Sequence, residues 1–136
     1  MPSTTEIKIR GYHVDFYGHV NNARYLELME EARWVMFEEY IDFQEWSRKG
    51  WSFLIVNINI RYKRPAFLGE TIEIRSGIAR LDRKSGIVRQ RTFLKGTDQV
   101  IADAEVTFVI ADPTGKAMRM EEDLRALLDP LVVQEP

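Results

Sequence analysis

The chain has 136 residues, 45% of them hydrophobic and 29% charged, with a net charge of −2 and no cysteine. That length suits one globular domain able to bury roughly two-thirds of the surface its unfolded form exposes. The cysteine count excludes disulfides, thiolate metal centres and a cysteine nucleophile, and the slight negative charge gives no field for nucleic acid or an anionic membrane.

In chain order, Thr5 to Arg10 reads as a first strand, because Ile7 and Ile9 alternate with Lys8 and Arg10. A polar, glycine-containing segment from Gly11 to Asn22 follows and holds both histidines. Ala23 to Ile41 has helical spacing at Tyr25, Leu28, Met29, Ala32 and Met36. Leu26, Phe37, Tyr40 and Ile41 widen that stripe, while Glu27, Glu30, Glu31, Arg33 and Glu38 are assigned to the solvent side. So wide an apolar surface predicts a helix that is wrapped. Asn21 or Asn22 is the expected N-cap. A short helix is expected from about Phe43 to Lys49.

From Trp51 the period changes to two. Leu54, Val56, Ile58, Ile60 and Tyr62 are expected on one strand face, and Asn57, Asn59, Arg61 and Lys63 on the other. Pro65 marks the end of that strand. Ile72, Ile74, Ser76 and Ile78 form the next inward row, and Asp82 to Gly86 a turn. A strand from Ile87 to Lys95 leads through Gly96 to a last strand, where Val100, Ala102, Ala104, Val106, Phe108 and Ile110 alternate with polar residues. Glu121 to Leu128 reads as an amphipathic helix. Strands gathered after a helix, without βαβ alternation, predict an α+β fold with an antiparallel sheet of about five strands around one long helix. Such a sheet keeps open edges, so pairing between two copies is expected.

Polar candidates for chemistry concentrate between Tyr12 and Asn22, in YHVDFYGHVNN. This segment enters the N-terminus of the longest helix, where free amides and the positive end of the dipole can stabilise an oxyanion. A carboxylate just upstream, Asp15, could serve as nucleophile or general base. The combination suits acyl transfer with neither metal nor cofactor. Capping a turn through its own backbone is the competing role for Asp15, and capping or positioning that for Asn21 and Asn22. His19 is equally readable as a structural loop histidine. Tyr12, Tyr17 and Tyr25 read as packing residues.

The segment GYHVDFYGHVNNARYLELMEEARW resembles the acyl-CoA thioesterases of the hotdog superfamily, in the 4-hydroxybenzoyl-CoA thioesterase branch. The likeness is nearest to bacterial long-chain acyl-CoA thioesterases of fatty-acid degradation, and continues through FLIVNINIRYKRPAFLGETIEI, KSGIV and VIADAEVTFVIAD. The resemblance implies one hotdog domain over residues 1–136 and hydrolysis of medium- to long-chain acyl-CoA. It implies a catalytic aspartate at Asp15 and an oxyanion-binding amide around Asn21 and Asn22; His19 stands where other branches carry glycine or a small residue, and it joins Asp15, Asn21 and Asn22 in the candidate catalytic set. It also implies an acyl chain held between subunits of a dimer or a tetramer.

Alternatives remain at this stage: an acyl-carrier-protein thioesterase, a hotdog hydratase or dehydratase, or a non-enzymatic acyl-CoA-binding module. The order Asp15, His19, Asn21 differs from the hydratase loop's usual Asp, Asn, His. Tyr25 is a candidate substrate contact. Basic clusters at Arg61, Lys63 and Arg64, and at Arg83, Lys84 and Ser85, are candidates for the CoA phosphates. The opening MPSTTEIKIRGYHVD lacks an apolar signal-like run, and no apolar run approaches the roughly 20 residues of a membrane span, so a cytoplasmic protein is expected.

Overall fold

The structure, a computed structural model, describes residues 3–134. Its elements are β1 (Ser3–Lys8), α1 (Asn22–Glu38), α2 (Phe43–Lys49), β2 (Ser52–Tyr62), β3 (Thr71–Leu81), β4 (Gly86–Leu94), β5 (Val100–Ala111) and α3 (Glu122–Leu128). The strands form a five-stranded sheet in the order β1-β3-β4-β5-β2, with every pairing antiparallel. β1 and β2 are therefore the sheet's edges.

The predicted wrapping is present. The inner rows of β3 and β5 (Ile72, Ile74 and Ile78; Ala102, Ala104, Val106, Phe108 and Ile110) are buried in one cluster with Leu28, Met29, Ala32, Met36 and Phe37 of α1. Three of the helix ends have a clear local cause. Asn21 caps α1 by accepting the Ala23 N–H, and Asp42 caps α2 by accepting from Gln44 and Glu45. α2 stops at Gly50, whose φ of 74° is the left-handed conformation that ends helices.

Three details differ from the sequence pattern. First, α1 ends at Glu38, so Tyr40 and Ile41 lie beyond it, and Leu26 and Tyr40 are exposed. Second, Arg33 is buried and not on the solvent side, because Gln90 of β4 reaches under the helix and accepts from its guanidinium at 2.9 Å. Gln90 donates in turn to the Met29 carbonyl and to Ser76 Oγ. Helical spacing cannot reveal a polar partner supplied by a distant strand.

Third, β2 breaks its alternation. Ile55 pairs with Phe108 and Asn57 with Thr107, which leaves Val56 as a bulge. Cross-strand partners share a face, so Phe53 and Ile55 lie on the inner side, opposite Ile110 and Phe108, while Leu54 does not. Beyond the bulge Ile58, Ile60 and Tyr62 face inward, opposite Val106, Ala104 and Ala102. One extra residue exchanges the faces of everything before it.

α3 and the 3-10 turn Asp129–Leu131 bury Leu124, Leu128 and Leu131 against the core. No helix among the described residues is long and apolar enough to cross a membrane.

Candidate active site

The segment between β1 and α1 is held by its own backbone. A 3-10 turn, Gly11–His13, folds it back, and the buried His13 ring accepts the Arg10 N–H through Nδ1 at 2.9 Å. The His13 carbonyl accepts the Asn21 N–H at 3.0 Å, so this residue pins the loop to the head of α1. Burial, with Arg24 and Arg10 nearby, holds the His13 pKa below the ordinary 6.5.

From Val14 to Val20 the chain makes a small closed loop. Asp15 N–H donates to the His19 carbonyl at 2.8 Å and Gly18 N–H to the Asp15 carbonyl at 3.0 Å. Gly18 has a φ of 78°, which explains a glycine at this turn. His19 bridges to Phe67, with the rings 4.9 Å apart, and Val20 N–H donates to the Ala66 carbonyl. The loop is thereby fastened to the segment that follows β2. Asp15 Oδ1 accepts the Tyr17 N–H at 2.9 Å. Its turn-capping role is thus real, and it occupies one carboxylate oxygen.

At the head of α1, Asn21 Oδ1 accepts the Ala23 N–H at 2.9 Å and the Asn21 carbonyl accepts the Arg24 N–H at 2.8 Å. Neither bond uses the Asn22 amide, the first donor of the helix and one of the four that a helix cannot satisfy internally. Asp15, His19, Val20, Asn22, Tyr25, Tyr62, Lys63, Arg64 and Pro65 line one cleft of about 540 Å³ at this helix head.

The walls of the cleft are braced. Tyr62 donates its phenol to the Asn22 carbonyl at 2.9 Å, and its ring lies 5.5 Å from that of Tyr25. The Tyr25 oxygen accepts the Ala66 N–H at 3.1 Å, and burial pushes this phenol's pKa up. Arg64 makes a two-pronged pair with Glu70, which also accepts the Phe67 N–H. The Arg64 hydrogen bond is the main cause of the lowered Glu70 pKa. Chemically, the cleft offers a carboxylate, an uncommitted amide where a developing oxyanion would be stabilised, and cations at the rim.

Of the residues singled out from sequence, Asp15, His19, Asn22, Tyr25, Lys63 and Arg64 meet at this cleft. Asn21 sits behind it as the N-cap. Arg61 projects elsewhere, to a site it lines with Asn59, Arg89, Asp103 and Glu105 on the outer sheet face. Arg83, Lys84 and Ser85 occupy the β3–β4 turn. That turn lies at the other end of the sheet: Tyr62, at the cleft, pairs with Ala102, whereas Gly86 pairs with Phe108. Within one chain these three residues are not brought to Asp15. Tyr62, Val20 and Pro65 were not among the candidates. Alternation places Tyr62 inward, but no local signal says that it reaches the helix head.

Residues 9–128 match the family model described as the thioesterase-like superfamily. The chain is 49% identical over 129 residues to the long-chain acyl-CoA thioesterase FadM of Escherichia coli (strain K12), covering 94% of this chain and 98% of that one. Its structure superposes on that of the probable thioesterase YbaW from Escherichia coli with a TM-score of 0.88 at 48% identity, over 96% of this chain and 99% of the other. The hypothetical protein SAV2348 from Staphylococcus aureus, solved in complex with CoA, gives a TM-score of 0.90 over 100% of this chain and 87% of its own; at 12% identity it shares the fold alone.

Proposed function

Because this chain belongs to the thioesterase-like superfamily, we propose that it hydrolyses acyl-CoA thioesters, medium- to long-chain fatty acyl-CoA foremost, to the free acid and CoA. The single observation that carries the reading is that Asp15 and Asn22 line one cleft, Asn22 being the first residue of a 17-residue helix, with no acceptor for its amide among the described residues. The FadM similarity over nearly the full length of both chains supports the choice of acyl-CoA.

In the reaction, the thioester carbonyl oxygen takes the Asn22 N–H. The Asp15 carboxylate either adds to the carbonyl carbon or removes a proton from a water that adds. Electrons move onto the carbonyl oxygen, where the amide and the helix dipole stabilise them. They return as the carbon–sulfur bond breaks and CoA leaves as thiolate. In the nucleophilic form water then hydrolyses the Asp15 anhydride. In this reading His19 and Arg64 contact the substrate and Lys63 and Arg64 take the CoA phosphates, which their position on the lining of the cleft supports.

The reading extends to one domain across residues 1–136, acting in the cytoplasm where CoA thioesters are made. It also includes a homodimer, or a tetramer of two such pairs, formed through β2. That edge leaves Leu54 44% and Val56 57% exposed, a hydrophobic margin that pairing with a second copy would cover.

Thiol release from a ladder of acyl-CoA chain lengths tests the reaction. Asp15→Asn keeps an oxygen for the Tyr17 N–H while losing the anion. It should abolish turnover, at least about a thousandfold, with an unchanged melting curve. Wild-type rates in a folded Asp15→Asn protein would remove Asp15 from the mechanism.

A further inference from the structure

Of the first three amides of α1, the Asn22 N–H alone is left without an acceptor among the described residues. The Ala23 N–H is taken by the side-chain oxygens of Asn21 and Asn22, at 2.9 and 3.1 Å, and the Arg24 N–H by the Asn21 carbonyl at 2.8 Å. A carbonyl oxygen has two lone pairs, and in a tetrahedral intermediate it carries negative charge that preorganised donors stabilise. One amide satisfies part of that oxygen. A second donor has to come from a side chain lining the cleft.

Tyr25 stands three residues past Asn22, and helical side chains lean toward the helix N-terminus. Its phenol thus comes back toward the helix head, and it lines the same cleft as Asp15 and Asn22. The oxygen accepts the Ala66 N–H at 3.1 Å, which fixes its position, while its own hydrogen has no acceptor among the described residues. Buried polar groups are normally paired. Tyr62, the other phenol of the cleft, already gives its hydrogen to the Asn22 carbonyl. The remaining side chains with donors on the lining, His19, Asn22, Lys63 and Arg64, are half-buried or exposed, whereas Tyr25 is 4% exposed. A hydrogen bond shielded from water does more for a charge that develops beside it. Burial also pushes this phenol's pKa above its ordinary 10.0, so the proton stays on the oxygen at neutral pH.

We propose that the Tyr25 hydroxyl is the second donor of the oxyanion site and binds the thioester oxygen beside the Asn22 N–H. The inference rests on the thioesterase reading and adds a catalytic side chain to it. As Asp15 or its water adds to the carbonyl carbon, the electron pair moved onto oxygen is held by both donors. Tyr25 keeps its proton throughout, and the pair returns to the carbon–oxygen bond as the thiolate leaves.

Tyr25→Phe should lower kcat for tetradecanoyl-CoA by about a hundredfold with KM within about threefold. That variant also strands the Ala66 N–H, so a second replacement, Tyr25→fluorotyrosine introduced at this position alone, keeps the acceptor oxygen and makes the O–H more acidic. It should raise kcat by about twofold, because a more acidic donor binds the oxyanion more strongly; a phenol that only braces Ala66 gives no such rise. The third measurement is the infrared carbonyl band of carbonyl-labelled tetradecanoyl-CoA bound to Asp15→Asn protein. The band should lie at lower frequency with Tyr25 present than in the Asp15→Asn, Tyr25→Phe double variant. No thiol release from wild-type protein would defeat the thioesterase reading, whereas the carbonyl band is read without turnover and reports on Tyr25 by itself. Wild-type kcat in folded Tyr25→Phe protein, no rise with fluorotyrosine, or one carbonyl band for both Asp15→Asn proteins overturns the assignment.

Discussion

The phenol of Tyr62, the last residue of β2, donates a 2.9 Å hydrogen bond to the backbone carbonyl of Asn22, the first residue of α1. The bond ties the open edge of the sheet to the helix end that lines the cleft. Tyr62→Phe keeps the ring beside Tyr25 and removes only this tie. It should cost about 1 kcal/mol of stability and lower kcat/KM for acyl-CoA by roughly threefold to thirtyfold, as the amide loses its fixed position. Steady-state kinetics beside a urea melt separate the two effects; an unaltered kcat/KM means that the tie does not position the amide.

His13 makes the fold sensitive to mild acid. Its Nδ1 must be unprotonated to accept the Arg10 N–H, and burial together with Arg24 and Arg10 lowers its pKa, with Glu27 opposing. The unfolded chain therefore binds the proton more readily than the folded one. The stabilisation is complete above the unfolded value of about 6.5 and is lost as pH falls through the lower folded value. Denaturation midpoints should decline as pH falls below about 6.5, and His13→Gln, which keeps an acceptor but cannot titrate, should flatten that decline. The Arg64–Glu70 pair contributes in a separate window: its stabilisation is present above the unfolded glutamate value and lost on further acidification.

Gln90 is fully buried and serves three partners at once: the Arg33 guanidinium, the Met29 carbonyl and Ser76 Oγ. Gln90→Leu fills similar space but strands a buried cation and two polar atoms. A loss of about 1–3 kcal/mol is expected from leaving buried hydrogen-bonding groups without their partner, measured as a shift in the urea midpoint at constant slope. Double substitution with Arg33→Met should recover part of it, because the stranded charge is then gone.

Gly86, the first residue of β4, has no room for a side chain. A Cβ there would lie 2.4 Å from Cζ of Phe108, which is fully buried and stacks on Phe53 at 4.6 Å. Gly86→Ala should destabilise by about 1–3 kcal/mol through overpacking. At Gly11 a Cβ would meet nothing within 4 Å. Gly11→Ala should stay within about 0.5 kcal/mol, and equal melting temperatures for the two variants would contradict the contact.

Much of the molecule is local in origin and was legible before any coordinates. The period of 3.6 in Tyr25, Leu28, Met29, Ala32 and Met36, and the period of two in Val100 to Ile110, follow from which side each residue's Cβ takes. They specified a wrapped helix and an antiparallel sheet. The polar segment at the helix entrance singled out Asp15, His19 and Asn22, which line one cleft, because free amides occur at any helix head. What distant strands decide was not legible. The Val56 bulge, which sets the faces of Phe53 and Ile55, depends on the register with β5. The burial of Arg33 depends on Gln90 arriving 57 residues later. The separation of Arg83, Lys84 and Ser85 from the cleft depends on which sheet end each turn occupies. A side chain's periodicity records the direction in which it points; only the folded chain decides what stands there to meet it.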